Sequence, residues 1–327
     1  MEQLVIVTGA NSGIGLALCQ RLLTEDRGLR LCLACRDSEE AEAAYRALIA
    51  SHPGAHVDLL KVDLGSVKSV LRAAAEVRAR YSRVDFLYLN AGKMTKPKVD
   101  LKAFFKGFFS RNVIHMLETA KGILTQENRV NSDGLQEVFA TNLFGHFLLI
   151  RELEPLLCQS DHTSRVIWTS SGNAWRSAFS LEDFQHKQGN EPYSSSKYAS
   201  ELLSLALNRH MNSRGLYSSV VCPGMVRTKM TERILLPVFW ILFMPIMWLM
   251  RIFTNTFTIT PYNGAEALHW LFLQKPQYLD PRSKYYSLTS VLGRNYIQPQ
   301  KMDLDDSMSE DLYLKLMELE NEVKRKL

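Results

Sequence analysis

Short β-rich apolar runs alternate with longer runs of helical periodicity along most of this chain, and the alternation predicts an α/β protein built on a parallel sheet. Two further observations support that class. The first strand passes into the first helix through a turn carrying three glycines, Thr8-Gly9-Ala10-Asn11-Ser12-Gly13-Ile14-Gly15. With 327 residues, 46% hydrophobic and 22% charged, the chain can bury one large core or two modest ones, and its composition has no disordered or fibrous bias.

The opening strand is Leu4-Val5-Ile6-Val7, and the helix after the turn runs through Leu16, Leu18, Leu22 and Leu23. Glycines at this junction let the backbone approach a pyrophosphate, which sits on the helix N-terminus where free amides and the dipole favour negative charge. Thr8, Gly9, Asn11, Ser12, Gly13, Ile14 and Gly15 are therefore candidate cofactor contacts. A tight turn without ligand is the alternative, and the β-α-β context argues against it. The second strand, Leu29 to Ala34, leads into Cys35-Arg36, where the chain normally faces the adenosine ribose. A cation there favours the extra phosphate of NADP, so Arg36 points to NADPH, while the adjacent Asp37 leaves room for NAD. The alternation continues with a helix from Glu39 to Ala50, a strand from His56 to Val62, a helix from Val67 to Tyr81 and a strand from Val84 to Leu89. Asp63, at the end of the third strand, either accepts from the adenine amino group or caps the next helix. Asn90-Ala91-Gly92 closes the fourth strand with small residues, where the backbone can lie close to a cofactor.

Charge and cysteine usage narrow the class. The formal net charge is +5, and Lys and Arg are scattered instead of forming a basic stripe with aromatics, so nucleic acid is not indicated. A phosphorylated cofactor or an anionic membrane surface suits that charge. Five cysteines, Cys19, Cys32, Cys35, Cys158 and Cys222, have no secreted-type spacing and read as reduced thiols facing the cytosol. Cys32 and Cys35 form a C-x-x-C, but on a strand residues three apart point to opposite faces, so no metal site is expected. The N-terminus has no basic stretch ahead of its apolar run, so no cleavable signal peptide is expected.

Tyr193-Ser194-Ser195-Ser196-Lys197 carries the chemistry. Four residues is just over one helical turn, which puts the phenol and the ammonium on one face. A nearby cation stabilises phenolate, so Lys197 is expected to pull the Tyr193 pKa down toward a value useful for general acid catalysis. Only this tyrosine has a lysine at the fourth position. An exposed helix start with an incidental pair is the bland alternative, and the surrounding motifs decide against it. The glycine turn, Asn90-Ala91-Gly92, a helical Asn142, a Ser-tipped strand, Tyr193-x-x-x-Lys197 and Pro223-Gly224 occur in the order and rough spacing of the short-chain dehydrogenase/reductases, and the chain resembles that family over about residues 1–295.

That resemblance implies a single Rossmann-type, doubly wound parallel sheet of about seven strands in the order 3-2-1-4-5-6-7, with substrate above the carboxyl ends of the strands. Tyr193 would be the general acid in ketone reduction, and Lys197 would tune it and hold the nicotinamide ribose. Asn142 would fix a water in a proton relay, and a strand-end serine would polarise the carbonyl. Pro223, Gly224 and Thr228 match the family loop that contacts the nicotinamide amide and phosphates, although Thr228 equally suits a cap on the next segment. The set makes chemical sense by itself, since an oxyanion formed by hydride arrival needs donors already in place and a proton.

Three features stand out, the first two of them departures from the family pattern. Arg165 to Thr169 reads as a strand closed by Ser170-Ser171, yet Ser171 lies twenty-two residues before Tyr193 instead of the usual dozen or so. Ser171 on a rigid strand tip is preferred as the catalytic serine, with Ser180 in the following loop as a substrate contact. The insertion 172–192 is expected to fold over the site. A second insertion, about 93–131, carries Phe104, Phe105, Phe108, Phe109, Val113, Ile114, Met116 and Leu117 interleaved with Lys102, Lys106 and Arg111. That pattern reads either as a helix covering the core or a dimer seam, or as an interfacial helix in contact with membrane or sterol. The third is residues 234–250, uncharged across seventeen residues and flanked by Arg233 and Arg251. At about 1.5 Å per residue it reaches roughly 25 Å, short of the ~30 Å hydrocarbon core, so monotopic insertion beside the substrate mouth is preferred over a single span or a dry lid. Residues 133–159 read as one long helix holding Asn142, with His146 packed one turn on. Tyr193 to Asn212 reads as the catalytic helix, stopped near Gly215, and residues 296–327 as a charged, helical C-terminal extension.

Runs outside the shared motifs narrow the resemblance further. Leu135 to Phe139, Arg151 to Cys158, Phe184-Gln185-His186, Glu191 to Tyr198 and Gly293 to Tyr296 resemble the steroid-ketone reductases of the family. The resemblance implies NADPH-dependent reduction of a 3-keto sterol intermediate of cholesterol synthesis, and of estrone at its 17-ketone. It also implies a place at the endoplasmic reticulum membrane with the active site facing the cytosol, in contact with lipid, as a homodimer or in a sterol-synthesis complex. A reductase of retinal or another lipid aldehyde, of the retinol dehydrogenase type, is the competing enzyme reading. A cofactor-bound scaffold in a membrane complex is the reading from another class, and the intact Ser, Tyr, Lys and Asn set argues against it.

Overall fold

The computed structural model describes residues 2–327 except 101, 104–105, 107–115, 117–123, 160–161 and 232–236, with backbone alone for 237–243. Four strands and three helices alternate first: β1 (Leu4–Thr8), α1 (Gly13–Glu25), β2 (Arg30–Cys35), α2 (Ser38–Ser51), β3 (His56–Lys61), α3 (Val67–Arg80) and β4 (Phe86–Leu89). A short antiparallel pair, β5 (Lys98–Val99) with β6 (Leu124–Thr125), lies within the insertion 93–131. Then come α4 (Gly145–Leu157), β7 (Ser164–Thr169), α5 (Pro192–Met211), β8 (Leu216–Cys222), α6 (Pro237–Met250), α7 (Glu266–Leu273), β9 (Ser283–Thr289), β10 (Asn295–Lys301) and α8 (Asp306–Arg325).

The main sheet has eight strands in the order β10-β9-β8-β7-β4-β1-β2-β3. Every pair is parallel except β9 with β10. The strand order reverses between β1 and β4, and a crevice opens beyond the carboxyl ends of strands at such a point. Central strands are apolar on both faces because helices cover both: Leu4 and Ile6 enter one core, Val5 and Val7 the other. The first core lies under α3, α4, α5 and α8, and the second under α1, α2 and α7. Cys32 and Cys35 fall into different cores, as the two-residue strand period requires, and all five cysteines are free.

Two expectations change. The long helix expected over 133–159 runs from 137 to 157 and is not regular: Glu137–Phe139 passes into a π-helical turn, Ala140–Phe144, before α4 continues it. A Cβ on Gly145 would come within 2.1 Å of the Leu64 carbonyl oxygen, so the backbone passes here only because this residue is glycine. The segment 296–327 is likewise no appended helix. It first completes the sheet as antiparallel β10, whose alternation of polar and aromatic residues suits an edge strand, and only then forms α8. That helix packs on α5 through fully buried Leu312 and Leu316, each worth about 2 kcal/mol, while Ser309 Oγ donates to the Leu202 carbonyl at 2.7 Å.

Of the apolar insertion residues, Phe104, Phe105, Phe108, Phe109, Arg111, Val113, Ile114 and Leu117 lie outside the described residues. Met116 is buried, and Lys102 and Lys106 are exposed.

Candidate active site

The glycine turn closes the carboxyl end of β1. Gly9 and Gly13 have φ of +66° and +57°, conformations a side chain would strain. Ser12 is the N-cap of α1 but its side chain makes no capping bond, so the first amides of the helix remain available to an anion. Gly9, Asn11, Ser12, Gly13 and Ile14 line one side of a cleft of about 1000 Å³. Arg36, Asp63, Asn90, Ala91, Gly92, Pro223, Gly224 and Thr228 line it too. These residues fit a dinucleotide: uncapped amides for the pyrophosphate, a cation at the end of β2 for a ribose phosphate, and the small trio after β4 along the rest.

Two of the expected cofactor contacts play another part. Thr8 is fully buried and lies outside the cleft; its hydroxyl oxygen accepts from the Asn90 and Ala91 amides at 2.9 and 3.0 Å, tying the ends of β1 and β4 together. Gly15 is buried as well, and a Cβ there would meet the Gly9 carbonyl oxygen at 2.3 Å, so its smallness serves the packing of α1 under the turn. Asp37 faces α2: its carboxylate accepts from the Glu40 and Glu39 amides, which hold it below the usual carboxylate range. Asp63 accepts from the Gly65 amide at 2.9 Å, while Ser66 caps α3.

Tyr193 lies in the first turn of α5, after Pro192 at N1, and looks into the cleft with Lys197 one turn below. Burial pushes the phenol up to about 12, and a hydrogen bond from Ser171 works the other way. The Ser171 oxygen already accepts from the Asn173 amide at 3.0 Å, which leaves its proton to donate to the phenol. The strand-tip serine is thus the one beside the tyrosine. Ser180 is exposed, bonded to Glu182 at 2.6 Å, and outside the cleft, so the structure gives it no place at the site.

Lys197 differs from the expectation in one respect. Its Nζ donates to the Thr169 carbonyl at 2.6 Å and lies 5.6 Å from the Tyr193 ring centroid. Burial brings its pKa down to about 8, and it is Ser171 that lowers the Tyr193 pKa. The ammonium nevertheless borders the space a cofactor ribose would take: a Cβ on Gly92 would sit 3.7 Å from Lys197 Nζ and 3.7 Å from Asn142 Oδ1. Gly92 keeps that passage open.

Asn142, in the π-helical turn, is clamped by the chain after β4. Its Oδ1 accepts from the Lys93 amide at 2.7 Å, and its Nδ2 donates to the Lys93 carbonyl at 3.1 Å and to Ser196 Oγ at 3.0 Å. A π-turn at such a point is a common mark of a functional site. His146 is fully buried, and burial holds it down to about 3, hence neutral. Its Nδ1 meets the Asn142 carbonyl at 3.2 Å and its Nε2 meets Thr8 Oγ1 at 3.1 Å, so it is packed, as expected, but bridges the two halves of the site.

The far wall was not foreseen. Tyr286 and Leu288 of β9, with Tyr296, Gln298 and Gln300 of β10, line the cleft from the edge of the sheet, and Asn255 donates to the Tyr296 hydroxyl at 2.5 Å. The signal available in the sequence was Pro299 in an otherwise extended run, since a proline within a strand is confined to a sheet edge. Of the insertion 172–192, Gly172, Asn173 and Trp175 border the cleft. Phe179 and Phe184 pack on Tyr198 and Phe139 in the first core, and the end of the insertion meets the chain just after β6, where the Gln126 amide donates to the Asn190 carbonyl at 2.8 Å.

A glycine turn at the switch point, a phenol and serine hydroxyl side by side, and a buried lysine one turn away make up the site. The chain belongs to the short chain dehydrogenase family, whose sequence pattern matches residues 3–129 and 114–236. It is 59% identical to 3-keto-steroid reductase/17-beta-hydroxysteroid dehydrogenase 7 of Rattus norvegicus, over 99% of this chain and 97% of that protein. The protein of the same name from Homo sapiens is also 59% identical, over 99% and 95%. Among solved structures, salutaridine reductase from Papaver somniferum superposes with a TM-score of 0.60 at 20% identity, over 87% of this chain and 99% of that one, a likeness of fold.

Proposed function

We propose that this protein is an NADPH-dependent reductase of steroid ketones, acting on a 3-keto sterol intermediate of cholesterol synthesis and on estrone. The observation that carries the reading is the Ser171–Tyr193 pair, two hydroxyls held together in a cleft large enough for a dinucleotide and a ring system. The rat and human 3-keto-steroid reductases, matched end to end, support the substrate class.

Bound NADPH would supply the hydride. Ser171 and Tyr193 donate to the ketone oxygen, so that the charge developing there meets donors already in place. Tyr193 then transfers its proton to that oxygen, and the Lys197 ammonium offsets the phenolate left behind. Asn142 holds the Lys93 segment against α5 and so keeps the passage beside Gly92 in shape. Arg36 would face the ribose phosphate of the cofactor.

The same reading extends to location. Among the described residues no helix is long and apolar enough to cross a membrane. The fourteen residues of α6 rise only about 21 Å, against a ~30 Å hydrocarbon core. Trp248 and Leu249 at its end, and Ile252 and Phe253 beyond it, are half exposed or more. They support monotopic attachment to the cytosolic face of the endoplasmic reticulum, with a greasy substrate entering from lipid.

Tyr193→Phe tests the chemistry. Turnover of a steroid ketone should fall at least ~1000-fold while NADPH binds within about threefold of wild type. Survival of turnover would remove Tyr193 as proton donor, and faster turnover of retinal than of any steroid ketone by the wild-type enzyme would favour the retinol dehydrogenase reading.

A further inference from the structure

A buried ion pair lies directly behind the site. Glu201 follows Lys197 by one turn of α5, and its carboxylate meets Lys284 Nζ of β9 at 2.6 Å and Ser170 Oγ at 2.5 Å. The two charged side chains are 3% and 8% exposed. Lys284 Nζ also donates to the Ser171 carbonyl at 3.2 Å. Both partners of the pair therefore end on the two residues that close β7, one of which presents its hydroxyl to Tyr193.

Stability does not account for such a pair. Removing two ions from water costs several kcal/mol each, and apolar residues of similar volume commonly fill the same space with equal or greater stability. What an apolar pair lacks is the means to hold a hydroxyl and a carbonyl at fixed points, or to set a negative charge beside a buried ammonium. The other titratable groups around Glu201 are Tyr198 of α5, Cys222 of β8 and Tyr286 of β9. Burial pushes both phenols up to about 12 and the thiol up as well, which leaves the carboxylate between two ammonium groups.

We infer that Glu201 and Lys284 are positioning residues of the reductase. They pin the Ser170–Ser171 tip of β7 so that the Ser171 hydroxyl meets Tyr193, and Glu201 is the counter-charge that keeps Lys197 an ammonium. Burial is what draws the Lys197 pKa down, and the Glu201 carboxylate opposes it. Glu201→Gln leaves Lys284 uncompensated in the same pocket, so Lys197 should lose its proton at lower pH than in the wild type. The inference rests on the functional reading above, but part of its test needs no substrate.

The full-length protein is compared with Glu201→Gln, Glu201→Asp and the apolar double variant Glu201→Leu/Lys284→Met, which removes both charges and so keeps the protein folded. NADPH affinity is followed by cofactor fluorescence across pH, and turnover with NADPH and a steroid ketone. Glu201→Gln should move the alkaline limb of NADPH affinity down by about one pH unit, and Glu201→Asp should restore it. The double variant should melt close to wild type and keep KM for NADPH within about threefold, while kcat falls roughly 10- to 100-fold. A folded double variant with wild-type kcat, or an alkaline limb unmoved by Glu201→Gln, overturns the inference. If wild-type enzyme turns over no steroid ketone, the functional reading fails, and the limb measured on NADPH alone still decides the role of Glu201.

Discussion

Tyr193 is buried, and burial disfavours its phenolate; the donor at the phenol oxygen, Ser171, works against that, while the Lys197 ammonium lies 5.6 Å from the ring. The ammonium is the pH-sensitive partner. Since burial brings Lys197 down to about 8, it is charged below that pH and progressively neutral above it. Reductive kcat/KM should therefore hold below about pH 8 and fall toward tenfold per unit above it, in a pH–rate profile of the free enzyme. A profile flat to pH 10 would contradict the role given to Lys197. At the other end of the cleft, Arg36→Ala should raise KM for NADPH roughly 10- to 100-fold, about 1.4–2.8 kcal/mol, and change KM for NADH little. Equal effects on both cofactors would show that Arg36 does not meet the ribose phosphate. Tyr193, Lys197, Arg36, Gly9 and Gly13 all line the cleft, and their nomination rests on spacing along one element. Thr8, Gly15 and Ser180 do not line the cleft, and exposure to it depends on which way a neighbouring strand or loop turns.

At the scale of elements, the site is held by departures from regularity. The π-helical turn at Ala140–Phe144 brings Asn142 against the Lys93 backbone, and Gly145, next in the chain, lets the helix pass the Leu64 carbonyl closely. The segment leading into α4 is apolar nearly all round, with Val138, Phe139, Ala140, Leu143, Phe144, Phe147 and Leu148 all buried, so it has no one-sided stripe in which an added residue would show as a phase shift. The C-terminal segment was misread for a related reason. An edge strand pairs with one neighbour and packs on no layer of its own, so its apolar signature is weak. Leu316→Ala should destabilise the protein by about 2–5 kcal/mol in denaturant unfolding, because α8 seals the core over α5. A loss below about 0.5 kcal/mol would mean that the helix is peripheral to folding.

The whole molecule places its cleft between the glycine turn and the β9–β10 edge, with α6 and residues 252–253 following the loop after β8. If that region rests on lipid, replacing Trp248, Leu249 and Phe253 together by Asp should release the protein from phosphatidylcholine vesicles by at least tenfold in a flotation assay. NADPH binding should stay unchanged. Retention of the triple variant on vesicles would place attachment elsewhere in the chain.

The order of elements, the dinucleotide turn, the Tyr193–Lys197 pair and the cation at Arg36 followed from the sequence alone, since each rests on local periodicity or on a fixed offset within one helix or turn. Tertiary structure decided which serine meets the phenol, how Asn142 is clamped, that β10 walls the cleft, and that Glu201 pairs with Lys284 eighty-three residues away. Those contacts join residues far apart in the chain, and folding alone sets the distances between them.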